Sequence, residues 1–406
     1  MQQPATNRVM GLIAAIVFLD MAGVGLIIPV LPGLIESLTG ANLQESALIG
    51  GALLLVYSLM LFFCAPIIGG LSDRFGRRPV LLVTLLAMGA DYLLMAWAPS
   101  LFWLFVGRAI SGVMGATWAA ANSTVADLFP PEERAAKFGL LGGVGAAGFV
   151  LGPAIGGVLG EFGLRLPFLA AAVFAFGGAF VGWFLLVEPM AKERRRVFDW
   201  RRANPLGTLL QMRQFPLVVG IIGTIFLYQL ASQATMTVWA FSLIERFGWS
   251  TLAIGLSVGL YGLLLAVVQG GLTAPAIQRW GPVRTANAGA VAAVLAFLIL
   301  GFASNGAVLY TGIVVGAFGG LAFPAFQGMM SAKVDADAQG ELQGAIASTI
   351  SIAALAGPLI MPPIFAVFSD DAGLYLPGAP FLLAALLSLG GGLLFVRTVK
   401  HYWSQD

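Results

Sequence analysis

Apolar residues in this chain come in long unbroken runs, not in the alternating or three-to-four-residue patterns of soluble strands and helices. The runs lie near 10–32, 46–70, 79–97, 100–122, 138–160, 165–187, 216–243, 250–275, 284–303, 306–328, 342–368 and 378–399. Each is long enough for a helix to cross a hydrocarbon core, which takes about 20 residues. Because the runs are continuous, they predict spanning helices and argue against a barrel. The pattern predicts an all-α membrane protein of twelve transmembrane helices, six in 1–187 and six in 216–406, joined by a polar linker over 188–215. That linker carries KERRR at 192–196 and Trp200, Arg201 and Arg202, and reads as a solvated cytoplasmic segment with an amphipathic piece on the headgroups. The first run is too long for a signal peptide, has Asp20 at its middle and lacks a small-residue cleavage site, so it reads as a span.

The halves repeat. Gly76 is matched by Gly281, Gly107 by Gly312, Gly115 by Gly320, Gly139 by Gly344, and Gly152-Pro153 by Gly357-Pro358, all at an offset of 205 residues. A fixed offset at half the length implies tandem copies of one unit, which predicts two pseudo-symmetric six-helix bundles of the kind from which many membrane transporters are built.

Composition agrees. The chain is 59% hydrophobic and 10% charged, against roughly 25% charged for a soluble domain, so its expected partner is the lipid bilayer. All Lys and Arg residues except Arg108, Arg165 and Arg246 fall on one side if both termini are cytoplasmic, the orientation that the positive-inside rule selects. The net charge of +2 is therefore topological, and nucleic acid is not an expected partner. A multi-pass protein of the cell inner membrane is implied. Cys64 stands alone, which excludes an internal disulfide, and the single histidine, His401, lies in the tail, outside any span. Neither a nucleophile–base pair nor a metal cluster is visible, so an enzyme, a cofactor and a bound metal are not expected.

Charge inside the spans is the main chemical signal. Asp20 (FLDMAGVGLIIPVLP), Asp91 (MGADYLLMA) and Arg108 (GRAISGVMGATWAAA) are the intramembrane ions. A central charge costs about 2.5–3.5 kcal/mol on insertion scales, so each is a candidate for function. The second half offers uncharged groups in their place: Tyr228, Gln229, Gln233, Trp239, Tyr261, Gln269, Gln327 and Ser348 suit a cavity for a mainly apolar organic molecule, or serve as packing between helices. GGLSDRFGRRPVLL supplies a turn at Gly76 and a basic strip, Arg74, Arg77 and Arg78, with Asp73 beside it. Span five reads GAAGFVLGPAIGG, where Gly145, Gly148, Gly152, Gly156 and Gly157 with Pro153 allow close helix approach. Gly143, Gly145 and Gly148 spell GxGxxG, but neither a strand nor an acidic ribose ligand accompanies them, so a dinucleotide site is rejected. The sequon at Asn122 is set aside because it falls at the cytoplasmic end of a span.

The loop string resembles the signature of the major facilitator superfamily, over essentially the whole chain. By that resemblance the fold is the major facilitator fold, and Asp73, Arg74, Arg77 and Arg78 form a cytoplasmic gate with Asp127 at the end of span four. The span-five string is similar to the family's antiporter motif. LDMAGVGLIIPVLP, SDRFGRRPVLL, DYLLMA, GRAISGVMGAT, ERFGWS and FPAFQGMMS together resemble the tetracycline-efflux branch of drug–proton antiporters. The resemblance assigns Asp20, Asp91 and Arg108 to that branch's charged membrane positions and Gln269 to its span-eight glutamine. Leu265 stands where the branch has a histidine, and an expected aspartate near Ala293 is absent. The implied activity is proton-coupled export of an amphiphilic organic molecule by a monomer, with protons and a small organic substrate as partners. Import or facilitated passage of a metabolite or vitamin fits the same fold, and a non-transporting receptor or scaffold is the remaining alternative.

Overall fold

The computed structural model describes residues 3–115, 117–188, 190, 195, 212–335, 338–370 and 373–402. Of the expected linker, only Glu188, Met190, Arg195 and 212–215 are among them; the rest of the basic run, Trp200, Arg201 and Arg202 lie outside. Every regular element is helical, and no strand occurs among the described residues.

Glycine and proline punctuate the helices. α1 (Gln3–Ile27) stops before Pro29, and α2 (Leu31–Thr39) ends at Gly40, which is left-handed at φ 67°. Gly76 alone separates α3 (Leu43–Phe75) from α4 (Arg77–Ala96); its φ of 106° is open to few residues but glycine. Span four is broken at Gly115 into α5 (Leu101–Met114) and α6 (Thr117–Leu128), and α7 (Pro131–Phe162) and α8 (Leu166–Leu185) follow. After the linker come α9 (Pro216–Phe247) and α10 (Thr251–Val267). A π-helical stretch, Val268–Leu272, leads into α11 (Thr273–Phe302), which kinks where Gly281 takes φ 77°. α12 (Gly306–Gly319), α13 (Ala322–Ser331), α14 (Gln339–Phe368) and α15 (Ala379–Tyr402) complete the chain. Pro66, Pro153, Pro358, Pro362 and Pro363 stand inside helices, a placement that membrane helices tolerate.

Among the described residues, ten segments are long and apolar enough to cross a membrane. The difference from the twelve runs has a simple origin. α10 to α11 is counted as one continuous segment, Thr251–Phe302, although Gly281 within it takes non-helical dihedrals, and α5 is short because it ends before Gly115.

Two compact units result: Met1–Gly40 with Val56–Asn204 and Ser250–Gly259, and Ala41–Leu55 with Pro205–Trp249 and Leu260–Asp406. The first is filled by residues such as Ile13, Ile16, Leu81, Leu85, Val125 and Leu141. Ile221, Ile225, Phe326, Met329, Ile346 and Phe395 fill the second. Phe180, Trp183, Phe184, Val291, Phe302 and Leu386 are exposed, an apolar exterior suited to lipid rather than to water.

Candidate functional site

In the first unit the costly ions are inside. Asp20 on α1 is 7% exposed, Asp91 on α4 1%, and Arg108 on α5 9%. None of the three faces outward, as expected for groups that lipid would penalise. Ser111, one turn after Arg108, donates its hydroxyl to Asp91 Oδ2, while Asp91 Oδ1 has no hydrogen-bond partner among the described residues. Arg108 Nη2 lies 3.5 Å from Met95 Sδ, and no ion pair joins the guanidinium to Asp20 or Asp91 among those residues. Two tyrosines join the cluster. Tyr92 rests against Gly23, one turn from Asp20, where a Cβ would come 3.0 Å from its hydroxyl; that hydroxyl is buried and unpartnered among the described residues. Tyr57 on α3 lies within electrostatic reach of Asp20 and Arg108, and Tyr92 within reach of all three ions. Two carboxyls, a guanidinium and a buried phenol without a partner among the described residues thus gather within one unit.

The glycine stripe of α7 explains how α1 is held. Gly148 lies against the Phe18 carbonyl, Gly152 against Ala22 and Gly25, and Gly156 against Leu26, so backbone meets backbone along the helix that carries Asp20. Pro153 rests on Gly25, Gly157 faces Thr251 and Leu252, and Gly145 is buried on the same helix.

The Gly76 turn assembles a second charged group. Arg77, 6% exposed, donates from Nε to Asp127 Oδ2 at 2.9 Å and from Nη1 to Asp73 Oδ1 at 2.6 Å and Ser72 Oγ at 3.2 Å. Arg78 turns away and donates to the Trp183 carbonyl at 2.7 Å, and Arg74 lies over the Phe75 ring. The structure thus joins Asp73, Arg77 and Asp127 and leaves Arg74 and Arg78 outside that group.

In the second unit the predicted polar residues are dispersed. Tyr228 leans on Phe326 with ring centroids 5.9 Å apart, and its hydroxyl is buried without a partner among the described residues. Gln229 and Gln233 are half-buried on α9, with Gln233 against Gly357. Trp239 is buried edge-on to Phe381, in packing rather than at an open wall. Tyr261 borders Gly316, Gln269 Nε2 reaches the Gly320 carbonyl at 3.5 Å, Gln327 is half-buried on α13 and Ser348 is buried on α14. Leu265 packs on Gly320 and Ala293 on Gly319, so both positions where the resemblance expects an ionisable group meet the same glycine pair through apolar atoms.

Tyr57, Tyr92, Ser111 and Glu188 were not singled out from the sequence. Tyr92 adjoins Asp91 in DYLLMA, and Ser111 sits at helical spacing after Arg108, so both carried a local signal. Glu188 carried none: its partners on α4 are 110 and 111 positions away.

Residues 13–358 match the family profile of the Major Facilitator Superfamily. Tetracycline resistance protein, class C, of Escherichia coli is 39% identical, over 95% of this chain and 98% of that protein. Among solved structures, the human organic anion transporter MFSD10 (TETRAN) is 25% identical with a TM-score of 0.72, over 97% of this chain and 100% of that one. A bacterial homologue of the human lysosomal transporter Spinster, inward-facing and occupied, is 14% identical with a TM-score of 0.79 over 100% and 99%, a likeness of fold alone.

Proposed function

The chain belongs to the Major Facilitator Superfamily, and from that premise we propose that it exports an amphiphilic organic molecule or drug in exchange for protons. It is a transporter and not an enzyme. The observation that carries the proposal is the burial of Asp20, Asp91 and Arg108 together in one unit, with no ion pair among them in the described residues. A carboxyl held there exchanges a proton with one side of the membrane at a time. One proton moving inward supplies about 2.3 kcal/mol per 100 mV and about 1.4 kcal/mol per pH unit, enough for one carboxyl to drive a useful gradient.

Dividing Thr251–Phe302 at Gly281, and joining Leu101–Met114 to Thr117–Leu128, brings the ten spanning segments to twelve. We read them as six-helix bundles over 1–187 and 216–406 in an inner membrane, with both termini cytoplasmic. These bundles alternate access to a cavity bordered by Tyr228, Gln229, Gln233, Tyr261, Gln269 and Gln327. Asp73, Arg77 and Asp127 act as the cytoplasmic gate, and the α7 glycines carry α1 through the cycle. Tetracycline resistance in the named relatives supports a drug as substrate. Leu265 and Ala293 favour a second reading, a facilitator or importer of an organic metabolite, because they place no ionisable group at two positions the resemblance ties to coupling.

Substrate-induced proton release from purified protein tests the first reading. Asp20→Asn is expected to abolish release while substrate still binds. Unchanged release would remove Asp20 from the mechanism, and uptake rather than export in oriented vesicles would favour the second reading.

A further inference from the structure

Helix α4 begins in a way that ought to be unstable. Its N-cap is Gly76, which has no side chain to accept the first free N–H groups, and its first two residues are Arg77 and Arg78, cations at the positive end of the helix dipole. Pro79 has no N–H, so Arg77 and Arg78 hold the first amides in need of an acceptor. Both are met by one distant carboxylate. Glu188 Oε1 accepts from the Arg77 amide at 2.9 Å and Oε2 from the Arg78 amide at 3.2 Å. The same Oε1 accepts from the Met190 amide at 3.1 Å, which ties the residues just past α8 to the start of α4. A Cβ on Gly76 would collide with Glu188, so glycine is required there for space as well as for its φ of 106°. Arg195, from the basic run of the linker, brings Nη2 to 3.0 Å from that same Cβ position.

We propose that Glu188 is the pin of the cytoplasmic gate, a positioning residue that fixes the Gly76 turn so that Arg77 reaches Asp73 and Asp127. This rests on reading those three residues as a gate. Arg77 is held at both ends: its backbone by Glu188, its side chain by Asp127, Asp73 and Ser72. Withdrawing Glu188 frees the backbone end, and the side chain loses its fixed origin.

The test uses full-length protein in a Cys64→Ser background with Ser72→Cys as reporter, since Ser72 is fully buried behind Arg77. Alkylation of the reporter from the cytoplasmic side needs no substrate, so its outcome is independent of transport direction and coupling. Glu188→Ala is expected to raise the labelling rate roughly tenfold or more, as for loss of hydrogen bonds to a charged acceptor, and to approach the rate given by Arg77→Ala. Glu188→Gln, which keeps one carbonyl acceptor, should fall between wild type and Glu188→Ala, with melting temperature unchanged. A rate unaltered by Glu188→Ala while Arg77→Ala raises it overturns the pin. No rise with either variant overturns the gate and the pin together. A rise seen only alongside a general fall in melting temperature, with Glu188→Gln like wild type, also overturns the pin and leaves Glu188 as a structural cap.

Discussion

The two copies of the repeat share a backbone and differ in charge. Gly76 and Gly281 take φ of 106° and 77° with ψ of 162° and 164°. Gly107 lies against Met95 and Gly312 against Leu300, partners related by the same 205-residue offset. Yet Asp20, Asp91 and Arg108 correspond at that offset to Ile225, Ala296 and Ile313, all buried. The turns diverge likewise: Asp73, Arg77 and Asp127 correspond to Gln278, Pro282 and Ala332, and a Cβ at Gly281 would meet nothing within 4 Å. The second copy demonstrates that this architecture forms without buried ions. Burying them in the first copy is a cost to folding, which is what the proposed coupling role accounts for.

The comparison breaks most readily by moving charge across it. Ile225→Asp, Ala296→Asp or Ile313→Arg should each cost about 2.5–3.5 kcal/mol, read as loss of folded protein in a thermal or denaturant titration. Tolerance of all three would mean that the second unit is as wet as the first. Next in size, Gly156→Leu should cost about 1–3 kcal/mol by overpacking, because a Cβ there meets the Leu26 backbone, whereas Gly139→Leu should be near neutral because its Cβ position is open. Arg77→Ala leaves Asp127 and Ser72 short of a donor and should cost about 1–3 kcal/mol. Arg284→Ala, at the second turn, should stay within about 0.5 kcal/mol.

A more modest loss concerns the two basic residues predicted on the outer side. Arg165 donates to the carbonyls of Ala96 and Ala98 at 3.1 and 3.2 Å, closing the end of α4. Arg246 donates to Leu300 at 2.8 Å, to Gly301 and to Ala303, closing the end of α11. Gly301 and Ala303 correspond to Ala96 and Ala98 at the repeat offset, so each copy caps the same helix end with an arginine from a different element. Arg165→Ala should lower stability by about 1 kcal/mol with transport retained.

Much of this was legible because it depends on short-range rules. Run length and continuity pointed to the helices, and a turn at Gly76 was implied by glycine between apolar runs. The burial of Asp20, Asp91 and Arg108 followed from the expense of exposing them to lipid. What escaped detection depends on contacts distant in sequence. Nothing near Glu188 signals that it caps α4, and Trp239, read as a cavity residue by its type, packs edge-on to Phe381 because α9 and α15 meet there. Tyr57 became visible only when α3 brought it near Asp20.

The central claim is that coupling resides wholly in the first copy. Its most direct test is the substrate accumulation ratio in proteoliposomes, measured against the imposed pH difference at zero membrane potential. For one proton exchanged per substrate, wild type should change about tenfold per pH unit, and Asp20→Asn should accumulate no substrate at any pH difference while still exchanging it. An Asp20→Asn, Asp91→Asn double variant that keeps the wild-type slope would place the coupling elsewhere and contradict the claim.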